Sequence, residues 1–184
     1  MSTNLIFKTL QVRGISTFQC LRNLPPNSVM HVFDRKTKLL QRERAAKEPD
    51  VKLYDYLKDE VGYRLADRVF DIKREFKCAL DLGCGRGHVS KNIYSDNVKK
   101  LILTDMSPSY VDQAEVTEGI EIERKTLDEE NFSLDENSLD LVISCLSLHW
   151  VNDLPGCFSK ILQCLKNDGV FMAAVFGGDT LYEL

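Results

Sequence analysis

Hydrophobic and polar positions change their period along this chain. Over residues 50–70, apolar side chains return every four positions, at Leu53, Leu57, Val61, Leu65 and Val69. That spacing stays near one side of a helix of 3.6 residues per turn and predicts an amphipathic helix. Ahead of it, 33–47 is polar and basic, with Asp34, Arg35, Lys36, Lys38, Arg42 and Arg44 interspersed with Leu39, Leu40, Ala45 and Ala46. A helix lying over the domain or over a partner is expected there, ended by Pro49.

Beyond residue 75 the pattern becomes one of short apolar runs, at 78–82, 101–104, 120–123, 139–145 and 169–176, separated by stretches with helical character. Ser107 followed by Pro108 reads as a helix N-cap with proline in the first turn. Leu154, Phe158, Ile161 or Leu162, and Leu165 mark another amphipathic helix behind an Asp153 cap. Strands alternating with helices imply right-handed βαβ units and a parallel sheet. The expected class is therefore α/β, a doubly wound Rossmann-like sheet. No apolar run approaches the roughly 18 residues of a membrane-spanning helix.

Charge divides the chain unevenly. The 184 residues carry 24 Lys plus Arg against 28 Asp plus Glu, a formal net charge of −4. Residues 1–33 hold Lys8, Arg13 and Arg22 and no acid, so this segment is +3 and the remainder −7. The leader is rich in Ser2, Thr3, Asn4, Thr9, Ser16 and Thr17, and Leu5, Ile6, Phe7, Leu10 and Val12 can cover one face of a short helix. An acid-free, Arg-bearing, Ser-rich leader is what a mitochondrial transit peptide requires, and the competing reading is a tail whose lack of acids is chance. Pro25 and Pro26, among Asn23, Asn27 and Ser28, read as its linker. The expected organisation is a transit peptide and linker at 1–30, a helical segment at 31–75, and a partial domain at 76–184. The acidic total argues against a nucleic-acid binder. The six cysteines, at 20, 78, 84, 145, 157 and 164, form no CxxC pair and read as reduced thiols.

The candidate chemistry sits at strand ends. Asp81-Leu82-Gly83-Cys84-Gly85-Arg86-Gly87-His88 runs from a buried strand into a turn with three glycines at alternate positions. Such glycines admit positive φ and let a ligand approach backbone amides. A dinucleotide fingerprint needs a glycine where His88 stands, which disfavours a pyrophosphate on the following helix. The glycine triplet behind Asp81 suits a ligand with a cationic amino-acid end. Asp105 closes the next strand, 24 residues on, where a carboxylate can accept from both ribose hydroxyls. Asp128 follows the third strand and can accept from an adenine amino group, although acids after strands are often merely solvated. His149 and Trp150 follow the fourth strand as a candidate general base and a platform for a guanidinium, with packing under the next helix as the alternative. A facial-triad iron site needs two His and a carboxylate; no His-x-Asp or His-x-Glu occurs at His31, His88 or His149, so no metal site is expected.

DLGCGRG with the acid at 105, then SLDLVISCLSLHW and LKNDGVFMAAV, resembles the class I S-adenosylmethionine-dependent methyltransferases over about residues 75–176. FDRKTK, YLKDEVGYRLADRVFDI, LSLHWVNDLP and FGGDTLYEL are similar to the mitochondrial methyltransferase-like assembly factors of respiratory complex I, from about Phe33 to the last residue. The resemblance implies S-adenosyl-L-methionine as cofactor, with Asp81, Gly83, Gly85 and Gly87 at its methionine side, Asp105 at the ribose and Asp128 at the adenine. No catalytic residue carries over. The resemblance also implies a protein at the matrix face of the mitochondrial inner membrane, acting early in complex I assembly. The implied reaction is hydroxylation of an arginine on an iron–sulfur subunit. Relatives of this fold continue with two further strands and a helix, so the sheet is expected to lack its last strands, leaving 169–176 as an exposed apolar edge. An enzyme modifying a protein arginine, by hydroxylation or methylation, is the leading reading. A non-catalytic assembly chaperone of the same fold is the alternative.

Overall fold

The computed structural model describes residues 31–178 and Thr180; the transit-peptide reading of 1–30 lies outside the described residues. Five strands, β1 (Phe76–Leu82), β2 (Val98–Asp105), β3 (Glu121–Thr126), β4 (Leu139–Cys145) and β5 (Leu165–Ala174), pair in parallel in the order β3-β2-β1-β4-β5. The chain steps outward from β1 through β2 to β3, then returns to the other side of β1 for β4 and β5. The order therefore reverses between β1 and β4, and the crevice beyond the carboxyl ends of these two strands is where sheets of this kind receive ligands.

Four helices accompany the sheet: α1 (Arg35–Lys47), α2 (Tyr56–Asp71), α3 (Pro108–Gln113) and α4 (Leu154–Cys164). Asp34 caps α1 by accepting from the Lys36 and Thr37 amides at 2.9 and 3.2 Å. Ser107 caps α3 with Pro108 in the first turn, and Asp153 caps α4 through the Gly156 amide at 2.9 Å. On one sheet face Leu65, Ala66 and Val69 of α2 join a core with Ala79, Leu101, Leu103, Leu141 and Ile143. On the other, Cys157, Ile161 and Cys164 of α4 pack with Leu80, Leu82 and Val142. Layers on both faces make the sheet doubly wound, as its apolar runs require.

Three local expectations need correction. The helix expected over 50–70 is divided: Val51–Tyr54 is a single 3₁₀ turn, and α2 begins only at Tyr56. A strict four-residue repeat advances about 40° per step around a helix, so five such positions cannot all face one sheet. The buried line is instead Gly62, Leu65, Ala66 and Val69, while Leu53 is 72% exposed and Leu57 is also exposed. Between β1 and β2 no α-helix forms. Residues 83–97 make successive turns and a 3₁₀ turn at Ser90–Asn92, with Val89 and Ile93 buried. Finally, β5 starts directly after α4 rather than at 169. Its register slips from Leu139↔Leu165 to Leu141↔Val170, so 166–169 bulge, and Asp168 takes φ +66° while its carbonyl accepts from Arg74 at 2.8 Å. Among the described residues β5 is an outer strand of the sheet, with Phe171, Val175 and Phe176 exposed.

Candidate functional site

The carboxyl ends of β1, β2 and β4, with α1 above them, enclose a cavity of about 280 Å3 whose walls include Gly83, Gly85, Asp105, Tyr110, Ser147 and Trp150. The β1 turn is held from below: the Gly83 and Cys84 amides both donate to the Thr104 carbonyl, at 2.9 and 2.8 Å. Two of its glycines do different work. Gly87 has φ +86°, and a Cβ there would collide with the Glu115 carbonyl oxygen and stand 2.5 Å from the Glu115 nitrogen. Gly85 has φ +56° and faces only the His88 ring, 3.2 Å from an added Cβ, so its backbone stays open to the cavity.

Asp81 lies beneath this turn, 1% exposed, and neither carboxylate oxygen has a hydrogen-bond partner among the described residues. Burial, with a smaller contribution from the nearby charge of Asp105, pushes its pKa up to about 7. A buried unpaired carboxyl is costly unless something cationic or hydrogen-bonding meets it. Beside it the Cys145 thiol is pushed up to about 12 by burial and by Asp81, so it stays protonated at neutral pH.

The other acids are already engaged. Asp105 accepts from Arg42 at 2.9 Å, from the Ser107 amide at 2.9 Å and from the Gly85 amide at 3.1 Å. Arg42 also reaches Glu129 at 2.9 Å and Ser147 at 3.2 Å. Arg35, two turns earlier on the same side of α1, donates to Asp128 at 2.6 Å and to Glu129 at 2.5 Å. Burial opposes the charge of Arg42, but Glu129 and Asp105 together more than offset it and hold its pKa above the ordinary value. Burial likewise opposes ionisation of Glu129, yet Arg42, the Ser147 hydroxyl and Arg35 keep its pKa low. For Asp105 burial prevails over Arg42, and its pKa is raised.

The expected residues thus separate into groups. Asp81, Gly83, Gly85, Gly87 and Asp105 gather at the β1 turn; Gly83, Gly85 and Asp105 line the crevice, while Asp81 and Gly87 are not on its wall. Asp128 stands at the outer end of the acid row, under Arg35. Trp150 lines the crevice, and its ring face carries the Lys38 ammonium, 3.1 Å from the ring centre. His149 does not line the cavity; it packs between Trp150 and Phe176, with ring centres 5.0 and 5.1 Å away, and burial lowers its pKa. Arg35, Arg42, Glu129 and Ser147 were not singled out from the sequence. The signal for the two arginines is their spacing with Lys38, which puts all three along one side of α1. Leu146, at φ +50°, is the bulky residue held in the left-handed region at the cavity wall. No group of three or more His, Cys, Asp or Glu with metal-ligand geometry occurs among the described residues.

A parallel sheet with this switch point, a glycine turn over a buried acid and a second acid at the end of β2 define the methyltransferase class. The profile of the methyltransferase-domain family matches residues 80–173, and the chain belongs to that family. It is 45% identical over 181 residues to the Danio rerio protein named arginine-hydroxylase NDUFAF5, mitochondrial, covering 98% of this chain and 55% of that protein. It is 48% identical over 155 residues to the Homo sapiens protein of the same name, covering 84% of this chain and 45% of that one. The chain thus spans about half the length of the curated relatives it matches. Among solved structures, a Leishmania major S-adenosylmethionine-dependent methyltransferase superposes with a TM-score of 0.64 at 19% identity, over 78% of this chain and 61% of that one. A putative methyltransferase of Haloferax volcanii, solved with its Trm112 activator, gives 0.63 at 21%, over 73% and 60%. Both likenesses concern the fold.

Proposed function

We propose that the crevice holds S-adenosylmethionine and that the chain is part of an enzyme modifying an arginine of a protein. Asp81 carries this reading: it is a buried carboxyl with two free oxygens at the floor of a glycine turn, and the ammonium of the cofactor's methionine end is the cation it lacks. Gly83, Gly85 and Gly87 shape the turn so that backbone can approach the methionine portion. Asp105 takes the ribose hydroxyls and Asp128 the adenine amino group, which requires the Arg42 and Arg35 contacts to yield. When bound, this cofactor would supply an electrophilic methyl on a sulfonium, which serves methylation; hydroxylation would in addition need an oxidant from outside the chain to donate the oxygen atom. The chain's own part is to hold it, to keep Asp81 ionised against an ammonium and to shield the reacting end beneath α1.

The names of the relatives support the substrate and the setting: an arginine, in mitochondria. The same names favour hydroxylation over methylation; that the acceptor is an iron–sulfur subunit of respiratory complex I, modified early in assembly at the matrix face of the inner membrane, is our proposal from the family resemblance alone. A second reading, a non-catalytic assembly chaperone, draws on the same ion pairs: α1 arginines fill the acid row that a nucleoside would need. Isothermal titration separates the two. Stoichiometric binding of S-adenosylmethionine that disappears in Asp81→Asn supports the enzyme. A folded sample giving no heat up to millimolar ligand leaves the chaperone. Mass spectrometry of the acceptor subunit then reads the chemistry, as a gain of one oxygen or of one methylene.

A further inference from the structure

A second cavity, of about 410 Å3, opens between the end of α1, the Val51–Tyr54 turn, the start of α2 and α3. Its walls include Glu48, Asp50, Asp55, Tyr54, Lys58 and Tyr110. Ala45, Lys58 and Tyr110 are common to this cavity and to the crevice, so the two spaces adjoin across these side chains.

The charge of the second cavity is unlike that of the crevice. The crevice wall carries Lys38, Arg42 and Lys58, and the open ring face of Trp150 already receives Lys38. A cationic substrate arriving over Trp150 would meet two like charges. The second cavity carries three carboxylates against Lys58, with Arg86 behind Asp55. No cation among the described residues pairs with Glu48 or Asp50 within ion-pair distance, and both are exposed. Asp55 is buried, 2% exposed. Its Oδ1 lies 3.3 Å from Lys58; its Oδ2 lies 2.9 Å from Arg86 Nε but out of hydrogen-bonding alignment and has no hydrogen-bond partner among the described residues. Two tyrosines complete the wall: Tyr54 stands 74% exposed at the turn, and Tyr110 is buried at the boundary with the crevice.

Asp55, already facing Lys58 and Arg86, backs Glu48 and Asp50 with one oxygen that lacks an aligned hydrogen bond. Those two unpaired carboxylates, Glu48 and Asp50, beside aromatic side chains are the set that a guanidinium uses. It pairs in a fork with carboxylates, it stacks on aromatic faces, and it sheds water more readily than an ammonium does. We infer that this cavity is the port by which the substrate's arginine enters, its guanidinium held by Glu48, Asp50 and Asp55 and passed along Tyr110 toward the crevice. The inference rests on the reading of the chain as a protein-arginine enzyme, and it assigns that substrate to the α1–α2 side of the crevice instead of the Trp150 side.

The test uses the full chain and a glycine-flanked pentapeptide with a central arginine, beside the same peptide with citrulline, which keeps the shape and loses the charge. Amide resonances in 48–58 and at Tyr110 are expected to shift with the arginine peptide and not with the citrulline peptide. In Glu48→Gln with Asp50→Asn, two exposed changes that leave the core untouched, the arginine peptide is expected to bind at least fivefold more weakly. S-adenosylmethionine affinity, measured by titration calorimetry on the same sample, is expected to stay within twofold. Equal binding of the citrulline peptide, shifts centred on Trp150, or an unchanged affinity in the double variant would each overturn the port. Failure of S-adenosylmethionine to bind while the peptide results hold would remove the cofactor reading and leave the port standing.

Discussion

Replacing Asp81 by Asn keeps the shape of the side chain and removes its charge, and the expected result is a protein whose stability no longer falls between pH 5 and 7. In the unfolded chain this carboxyl has an ordinary pKa of 3.8; in the fold, burial and Asp105 push it to about 7. Between those values the folded state binds the extra proton, so stability must fall as pH rises, by about 1.36 kcal/mol for each pH unit. Integrated from pH 5 to 7, with the slope already halved at pH 7, this amounts to roughly 2 kcal/mol, and above pH 7 the loss levels off. Asn does not titrate, so its own unmet hydrogen bonds add a constant and leave the slope alone. For a domain of this size the difference corresponds to roughly 4–8 °C in Tm. Urea unfolding of parent and Asp81→Asn at pH 5, 6, 7 and 8 measures it. Parallel pH profiles for the two proteins would refute the account of Asp81 as an unpaired buried acid. The same proton predicts that S-adenosylmethionine binds progressively more weakly below pH 7, where its ammonium meets a neutral carboxyl.

Arg42→Gln should cost about 3 kcal/mol, the lower end of the range for removing one partner from a buried ionic cluster, because Asp105 then loses its only cation among the described residues and Glu129 keeps Arg35 alone. The loss should shrink at pH 5, where the freed acid takes up a proton, and thermal unfolding at two pH values shows it. Gly87→Ala should destabilise the fold by about 3 kcal/mol or prevent folding, since both the left-handed φ and the Glu115 backbone oppose a methyl group. Gly85→Ala, which meets only a ring edge, should cost about 1 kcal/mol in urea while weakening S-adenosylmethionine by calorimetry, because its methyl group projects beside the open turn.

What the sequence made legible follows what local pattern can encode. The run at 139–145 coincides with β4, because a strand buried on both faces is apolar throughout. The run at 101–104 found most of β2 but missed its first residues, because Lys99 and Lys100 separate the buried Val98 from the apolar run. The glycine turn and Asp81 were visible because a positive φ and a buried acid both leave marks on residue choice. The break before α2 was not visible, since its cause is Asp55 reaching Arg86 and Lys58 from a buried position. The missing helix after the glycine turn escaped for a related reason: Val89 and Ile93 look helical in spacing, but turns place them in the core equally well. Glu129 and the α1 arginines were hidden most completely. Their partners lie 87 and 94 residues apart along the chain, and pattern within one segment says nothing about such pairs.

Those distant pairs bear on where the domain begins. The family match opens at residue 80, after both α1 and α2. Yet the positive charge that lets Asp105, Asp128 and Glu129 sit together at the strand ends is carried by Arg35 and Arg42. A fragment cut where the family match opens would retain the anionic cluster and lose its counter-ions. The span of the family match and the unit that folds therefore have different borders, and α1 belongs to the second even though it lies outside the first.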